Sequence, residues 1–90
     1  MNVEIYLTPS LQYAIDDAKQ IKVTGTTVGE CLDSLIRQYP RLRTMIFDQD
    51  KKIRQDLALY INESIADSYG TARPIKDGDK IHILDMIIGG

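Results

Sequence analysis

Three kinds of side chain in this sequence could do chemistry unaided: one cysteine, one histidine and a scatter of carboxylates. Cys31 would act as a nucleophile only as a thiolate, which needs a base or cation beside it. It instead recurs with Val28, Leu32, Leu35, Ile36 and Tyr39 at helical spacing, so it reads as core packing. His82 alternates outward on a predicted strand, has no second ligand at a metal-binding spacing, and reads as a surface residue. The cluster Asp48, Asp50, Lys51, Lys52, Arg54 and Asp56 mixes signs and reads as a solvated loop. Asp77 and Asp79 flank Gly78 in a turn. Thr27 and Glu30, three residues apart at a helix start, form a capping box in which Glu30 reaches back to the Thr27 backbone N–H. No nucleophile is paired with a base, no glycine loop would cradle a phosphate and no metal cluster is expected, so the chain does not read as an enzyme.

What this sorting leaves is the closing segment "DMIIGG", Asp85 to Gly90. Apolar residues at a chain end gain little from folding and add exposed surface. Met86, Ile87 and Ile88 therefore either pack down or are read by something else, and the glycines after them favour the second.

The elements that must position this segment follow from hydrophobic periodicity. In "NVEIYL", Val3, Ile5 and Leu7 alternate with Asn2, Glu4 and Tyr6, which predicts a strand with one buried face. "TPSLQYAIDD" suits a connection, and "QIKVTG" alternates again, giving a hairpin with a wide loop. "TTVGECLDSLIRQYP" is the clearest helix, capped by Thr27 and stopped by Pro40, which disfavours helical geometry at Tyr39. "RLRTMIFDQDKKIRQ" reads as a short helical turn through Met45 to Phe47 and then a charged loop. "DLALYIN" is a strand with Leu57, Leu59 and Ile61 on one face and Ala58 and Tyr60 on the other. A short strand is expected near Ile65, then the Asp77-Gly78-Asp79 turn, whose glycine supplies a positive φ at little cost. "KIHILDM" is the last strand, with Ile81 and Ile83 facing in and Lys80, His82 and Leu84 facing out.

The order strand, strand, helix, strand, short strand, strand predicts an α+β fold. If the strands after the helix pair beside the first, the expected result is a ubiquitin-like β-grasp, in which a mixed sheet of four to five strands packs on one main helix. The expected division is a β-grasp domain over 1–85 and a flexible tail over 86–90. Tyr6, Tyr60, His82 and Leu84 share the outward parity and would form an apolar, partly aromatic docking face if their strands are neighbours.

Composition limits the alternatives. Ninety residues, 43% of them hydrophobic and 27% charged, make one globular domain with a small core. A net charge of −2 with eleven dispersed Lys and Arg residues argues against nucleic acid as a partner. The start "MNVEIYL" lacks a basic, apolar and cleavable leader, and no apolar run approaches the roughly 20 residues that span a bilayer. The expectation is a cytoplasmic protein with no membrane partner, monomeric when free.

"DGDKIHILDMIIGG", Asp77 to Gly90, resembles the ThiS/MoaD sulfur-carrier family, whose members share this strand order, the aspartate-glycine-aspartate turn and a terminal Gly-Gly. At an average glycine usage of about 7%, chance places Gly-Gly at a given terminus in about one chain in 200, so its conjunction with the turn and strand is specific. Many relatives carry one or two prolines where Asp85 and Met86 stand here. The length around residues 40 to 56 is nearer to the molybdopterin or cysteine-pathway carriers than to the thiazole ones.

The resemblance implies a protein co-substrate. A ThiF/MoeB-like enzyme adenylates the Gly90 carboxylate with ATP and Mg²⁺, and sulfide or persulfide displaces AMP to leave a thiocarboxylate. A sulfur-accepting synthase then takes the sulfur, in thiamin, molybdopterin or tungstopterin, or cysteine synthesis or in tRNA thiolation. Gly89 would let the backbone enter a narrow channel, and Met86, Ile87 and Ile88 would lie along the partner's groove. The carrier itself binds no cofactor on this reading. The same terminus also suits a ubiquitin-like modifier joined through Gly90 to lysines. A non-covalent binding or toxin-antitoxin-like module is the third possibility.

Overall fold

The computed structural model describes residues 2–16, 20–66 and 70–85. Strand β1 (Asn2–Leu7) buries Val3, Ile5 and Leu7, and β2 (Gln20–Thr24) buries Ile21 and Val23, so each follows its period-two pattern. The two pair antiparallel, with Val3 opposite Val23 and Ile5 opposite Ile21.

The connection between them is more than a loop. It holds a four-residue helix, α1 (Pro9–Gln12), and a 3₁₀ turn (Tyr13–Ile15) that put Leu11, Ala14 and Ile15 into the core. Elements this short show no period in the sequence, which is why "TPSLQYAIDD" reads as a plain connection.

Helix α2 (Val28–Gln38) covers the inner face of the sheet with Val28, Cys31, Leu32 and Leu35, while Ile36 is buried outside that core cluster and Tyr39 is half-buried. The Thr27 hydroxyl accepts from the Glu30 backbone N–H at 3.2 Å, as a cap should. The reciprocal half of the predicted capping box differs. Glu30 Oε1 accepts from the N–H and hydroxyl of Thr26, each at 3.0 Å, instead of from the Thr27 N–H. The Gly25 entry to this corner needs a glycine, since a Cβ there would lie 2.8 Å from the Cys31 backbone nitrogen.

After α2 the chain makes a 3₁₀ turn (Pro40–Leu42) and the short helix α3 (Arg43–Ile46), burying Leu42 and Ile46. The helical turn thus begins earlier than "Met45 to Phe47" and excludes Phe47, which is extended at φ −108°, ψ 144°. Phe47 bridges to Ile53, itself buried, so the charged loop between them is pinned to the core at both ends.

Strand β3 (Leu57–Ile61), short β4 (Ser64–Ala66) and β5 (Lys80–Asp85) complete a five-stranded sheet of order β2-β1-β5-β3-β4. β1 and β5 run parallel in the centre and every other pair is antiparallel, so this is the mixed sheet of a β-grasp. The Asp77-Gly78-Asp79 turn starts β5, with Gly78 at φ 87°. Asp77 accepts from the Asn2 N–H, and Asp79 accepts from the Lys76 N–H and the Asn62 side-chain amide, so the turn is fastened to the start of β1 and the end of β3. Among the described residues no helix is long and apolar enough to cross a membrane.

Candidate functional site

β5 organises the outward face because it lies between β1 and β3. In the parallel register His82 stands beside Tyr6, and in the antiparallel register it stands beside Tyr60. The Tyr6 and His82 rings stack at a centroid separation of 4.8 Å and an interplanar angle of 13°. One step along β5, Leu84 pairs with Ala58 and is 42% exposed. The four outward residues of the sequence reading, Tyr6, Tyr60, His82 and Leu84, are thus neighbours on one sheet face.

The row is longer than the alternation alone discloses. Gln20 on β2 pairs with Tyr6, and Ile65 on β4 pairs with Tyr60, so Gln20, Tyr6, His82, Tyr60 and Ile65 cross all five strands. Ile65 is 60% exposed, an apolar side chain with little local reason to face water. Its membership depends on register, and register is a tertiary property; a strand near Ile65 is readable in the sequence, its partner is not. Glu4 is a third residue, after Gln20 and Ile65, that the alternation does not single out. Its carboxylate accepts from the Tyr6 hydroxyl at 2.7 Å, and this bond, with partial burial and the Glu4 charge, raises the Tyr6 pKa above the ordinary phenol value. Glu4 stands between Lys22 and Lys80 in the neighbouring row, so a charged rim borders the aromatic one.

The remaining reactive side chains sit apart from this face. Cys31 is fully buried, and burial, then the Glu30 charge, push its thiol pKa up, the direction opposite to that of an activated nucleophile. Among the described residues no group of three His, Cys, Asp or Glu side chains could hold a metal ion. A broad open groove runs on the far side of α2, lined by Ile36, Arg37, Arg43, Phe47 and Arg54 among others, and none of Tyr6, Tyr60, His82 or Leu84 reaches it. Met86, Ile87, Ile88, Gly89 and Gly90 lie outside the described residues. The last described residue before them, Asp85, ends β5 at the margin of the outward face.

Residues 6–90 match the family model described as the ThiS family. The chain belongs to the ThiS family. A ThiS-family strand order and its aspartate-glycine-aspartate turn are what "DGDKIHILDMIIGG" leads one to expect. The sulfur carrier protein CysO of Mycobacterium tuberculosis is 28% identical over 93 residues, with 100% of each chain covered. Among solved structures, a chain of the BexX/CysO complex of Amycolatopsis orientalis matches at TM-score 0.85 and 22% identity, covering 98% of this chain and 99% of its own. The small archaeal modifier protein 1 of Methanosarcina acetivorans matches at TM-score 0.83 and 26% identity, covering 99% and 96%. The structural likenesses bear out the β-grasp. The ThiS-family match, together with end-to-end likeness to a sulfur carrier, supports a sulfur-carrier role.

Proposed function

We propose that this chain carries sulfur as a thiocarboxylate on Gly90. The observation that carries the proposal is the ThiS-family match extending through residue 90, the position where the chemistry would occur. A carboxylate resists nucleophiles because it is already negative and oxide leaves poorly. Adenylation by a ThiF/MoeB-like enzyme solves this: the Gly90 carboxylate attacks the α-phosphate of ATP, held with Mg²⁺ in the partner, and pyrophosphate departs. Sulfide then attacks the acyl carbon, the carbon–oxygen bond to AMP breaks, and AMP leaves with the electron pair. The product is a thiocarboxylate, which a synthase consumes as its sulfur source.

The protein's part is presentation. Gly89 and Gly90 carry no Cβ and so fit a channel closed to other residues. Met86, Ile87 and Ile88 supply apolar area to the channel mouth, and the Tyr6, His82, Tyr60 and Leu84 face docks the domain. The BexX/CysO complex of Amycolatopsis orientalis, one chain of which shares this fold, supports recognition by a partner protein.

The decisive experiment incubates the whole chain with a cognate adenylating enzyme, ATP, Mg²⁺ and sulfide and records its intact mass. The expected product is heavier by the exchange of one oxygen for sulfur, and deleting Gly90 abolishes it. An unchanged mass with an enzyme that is active on its own carrier overturns the reading. A second reading, conjugation of Gly90 to lysines, is favoured by the likeness to small archaeal modifier protein 1. It predicts ladders on denaturing gels that survive thiol reductant.

A further inference from the structure

The parallel ladder between β1 and β5 runs from Glu4–Lys80 to Leu7–Ile83 and ends there. Thr8 adds one more backbone bond, its N–H donating to the Ile83 carbonyl at 2.8 Å, and the chain then turns away into α1. Leu84 and Asp85 keep their partners Ala58 and Leu57 in β3, but the ladder on their other flank has stopped. Side chains take its place. The Thr8 hydroxyl donates to Asp85 Oδ2 at 2.8 Å, and the Ser10 hydroxyl lies 3.0 Å and 3.1 Å from Oδ1 and Oδ2. Thr8 is only 4% exposed, so its hydroxyl is held in place by packing. The carboxylate, held by two hydroxyls from 75 and 77 residues earlier in the sequence, thus ties the end of β5 to the start of α1.

We propose that Asp85 is a positioning residue: gripped by Thr8 and Ser10, it fixes the end of β5 from which the chain continues to Gly90, and so sets how readily Gly90 enters a partner's active site. This rests on the reading of Gly90 as the group that is activated. A fixed root removes configurational freedom before binding, so less is lost when the last residues thread into a channel. A loose root leaves the chemistry intact once the tail is seated.

The test uses the whole chain carrying Thr8→Val with Ser10→Ala, and two measurements. In the free protein, backbone amide relaxation should give an order parameter at Asp85 of about 0.85 in the parent and about 0.6 in the variant, with Val3 and Ile81 unchanged. With the adenylating enzyme, ATP–pyrophosphate exchange should show KM for the carrier raised about three- to tenfold and kcat within about twofold, a modest effect because only part of what the two lost hydroxyl contacts contribute to folding is felt in binding. Ser10→Thr, which keeps a hydroxyl, should match the parent in both measurements. Should valine at Thr8 unfold the domain, Ser10→Ala alone at its exposed site carries the same expectation at smaller amplitude. An unmoved order parameter overturns the clamp, and a fallen one with unchanged KM overturns its positioning role. If the parent chain drives no exchange, the activation reading fails and takes the positioning role with it, and the relaxation data still decide whether the clamp exists.

Discussion

Asp79 sits where the start of β5 meets the end of β3. Its carboxylate accepts from the Lys76 N–H at 2.8 Å and from the Asn62 amide at 3.1 Å, and these bonds, the Lys76 one first, hold its pKa below the ordinary carboxylate value. A depressed folded-state pKa means that the unfolded chain binds the proton more readily. The stabilisation is therefore complete above the unfolded pKa of about 3.9 and is lost as pH falls through the lower folded value. Unfolding midpoints in denaturant should fall below about pH 4, and Asp79→Asn should flatten that fall while costing about 1 kcal/mol at pH 7. Glu30, held low first by the Thr26 N–H and then by the Thr26 hydroxyl, loses its contribution on the same acid side. Adding Glu30→Gln should therefore flatten the curve further, and equal steepness in parent and double variant would remove both assignments. From the sequence, Asp77 and Asp79 are legible as turn formers, but their partners Asn2 and Asn62 are not, because those bonds join residues 75 and 17 positions apart.

At the scale of elements, α2 was the most legible because eleven residues give three turns of one apolar stripe with a cap at one end and proline after the other. Replacing Thr27 by alanine removes the acceptor for the Glu30 N–H and should cost about 1 kcal/mol. Gly25→Ala tests the corner before it. Its Cβ would meet the Cys31 backbone nitrogen at 2.8 Å and the Glu30 Cβ at 2.9 Å, neither of which can swing away, so a cost of about 1 to 3 kcal/mol is expected. Both show as lowered denaturant midpoints with unchanged slopes; a midpoint unmoved by Gly25→Ala would mean the corner relaxes freely. The four longer strands and the short β4 were readable by alternation and turn chemistry. α1 and the 40–46 turn were not, since a four-residue helix completes barely one period and its burial of Leu11 or Ile46 is decided by what the neighbouring strands leave uncovered. Glu30 shows the same limit within a recognised motif: the sequence places a carboxylate near the helix start, and packing selects Thr26 over the Thr27 N–H.

At the scale of the whole molecule the proposed function assigns stability to one face of the sheet and recognition to the other. Its inner face, with α2, buries Val3, Ile5, Leu59, Ile81 and Ile83, each at most 2% exposed. Its outer face presents the five-strand row through His82, with Leu84 beside it. Changes on the two faces should therefore have opposite signatures. Tyr60→Ala with Leu84→Ala removes two outward apolar side chains, and should weaken binding to the adenylating enzyme about tenfold or more while lowering stability by about 1 kcal/mol. Leu35→Ala, on the fully buried stripe, should cost about 2 to 5 kcal/mol of stability yet leave the affinity of the folded fraction unchanged. Ile65→Ala then maps the extent of the face. It stands at the β4 edge of the same row, 60% exposed, so a further loss of affinity would extend the contact onto β4, whereas no loss would end it at β3. Unchanged affinity in the Tyr60→Ala, Leu84→Ala chain would remove the face altogether, and recognition would then have to reside in residues 86–90 alone. That outcome predicts a simple competition result: a peptide of those residues would displace the parent chain at equal concentration, which a domain docked through its sheet does not allow.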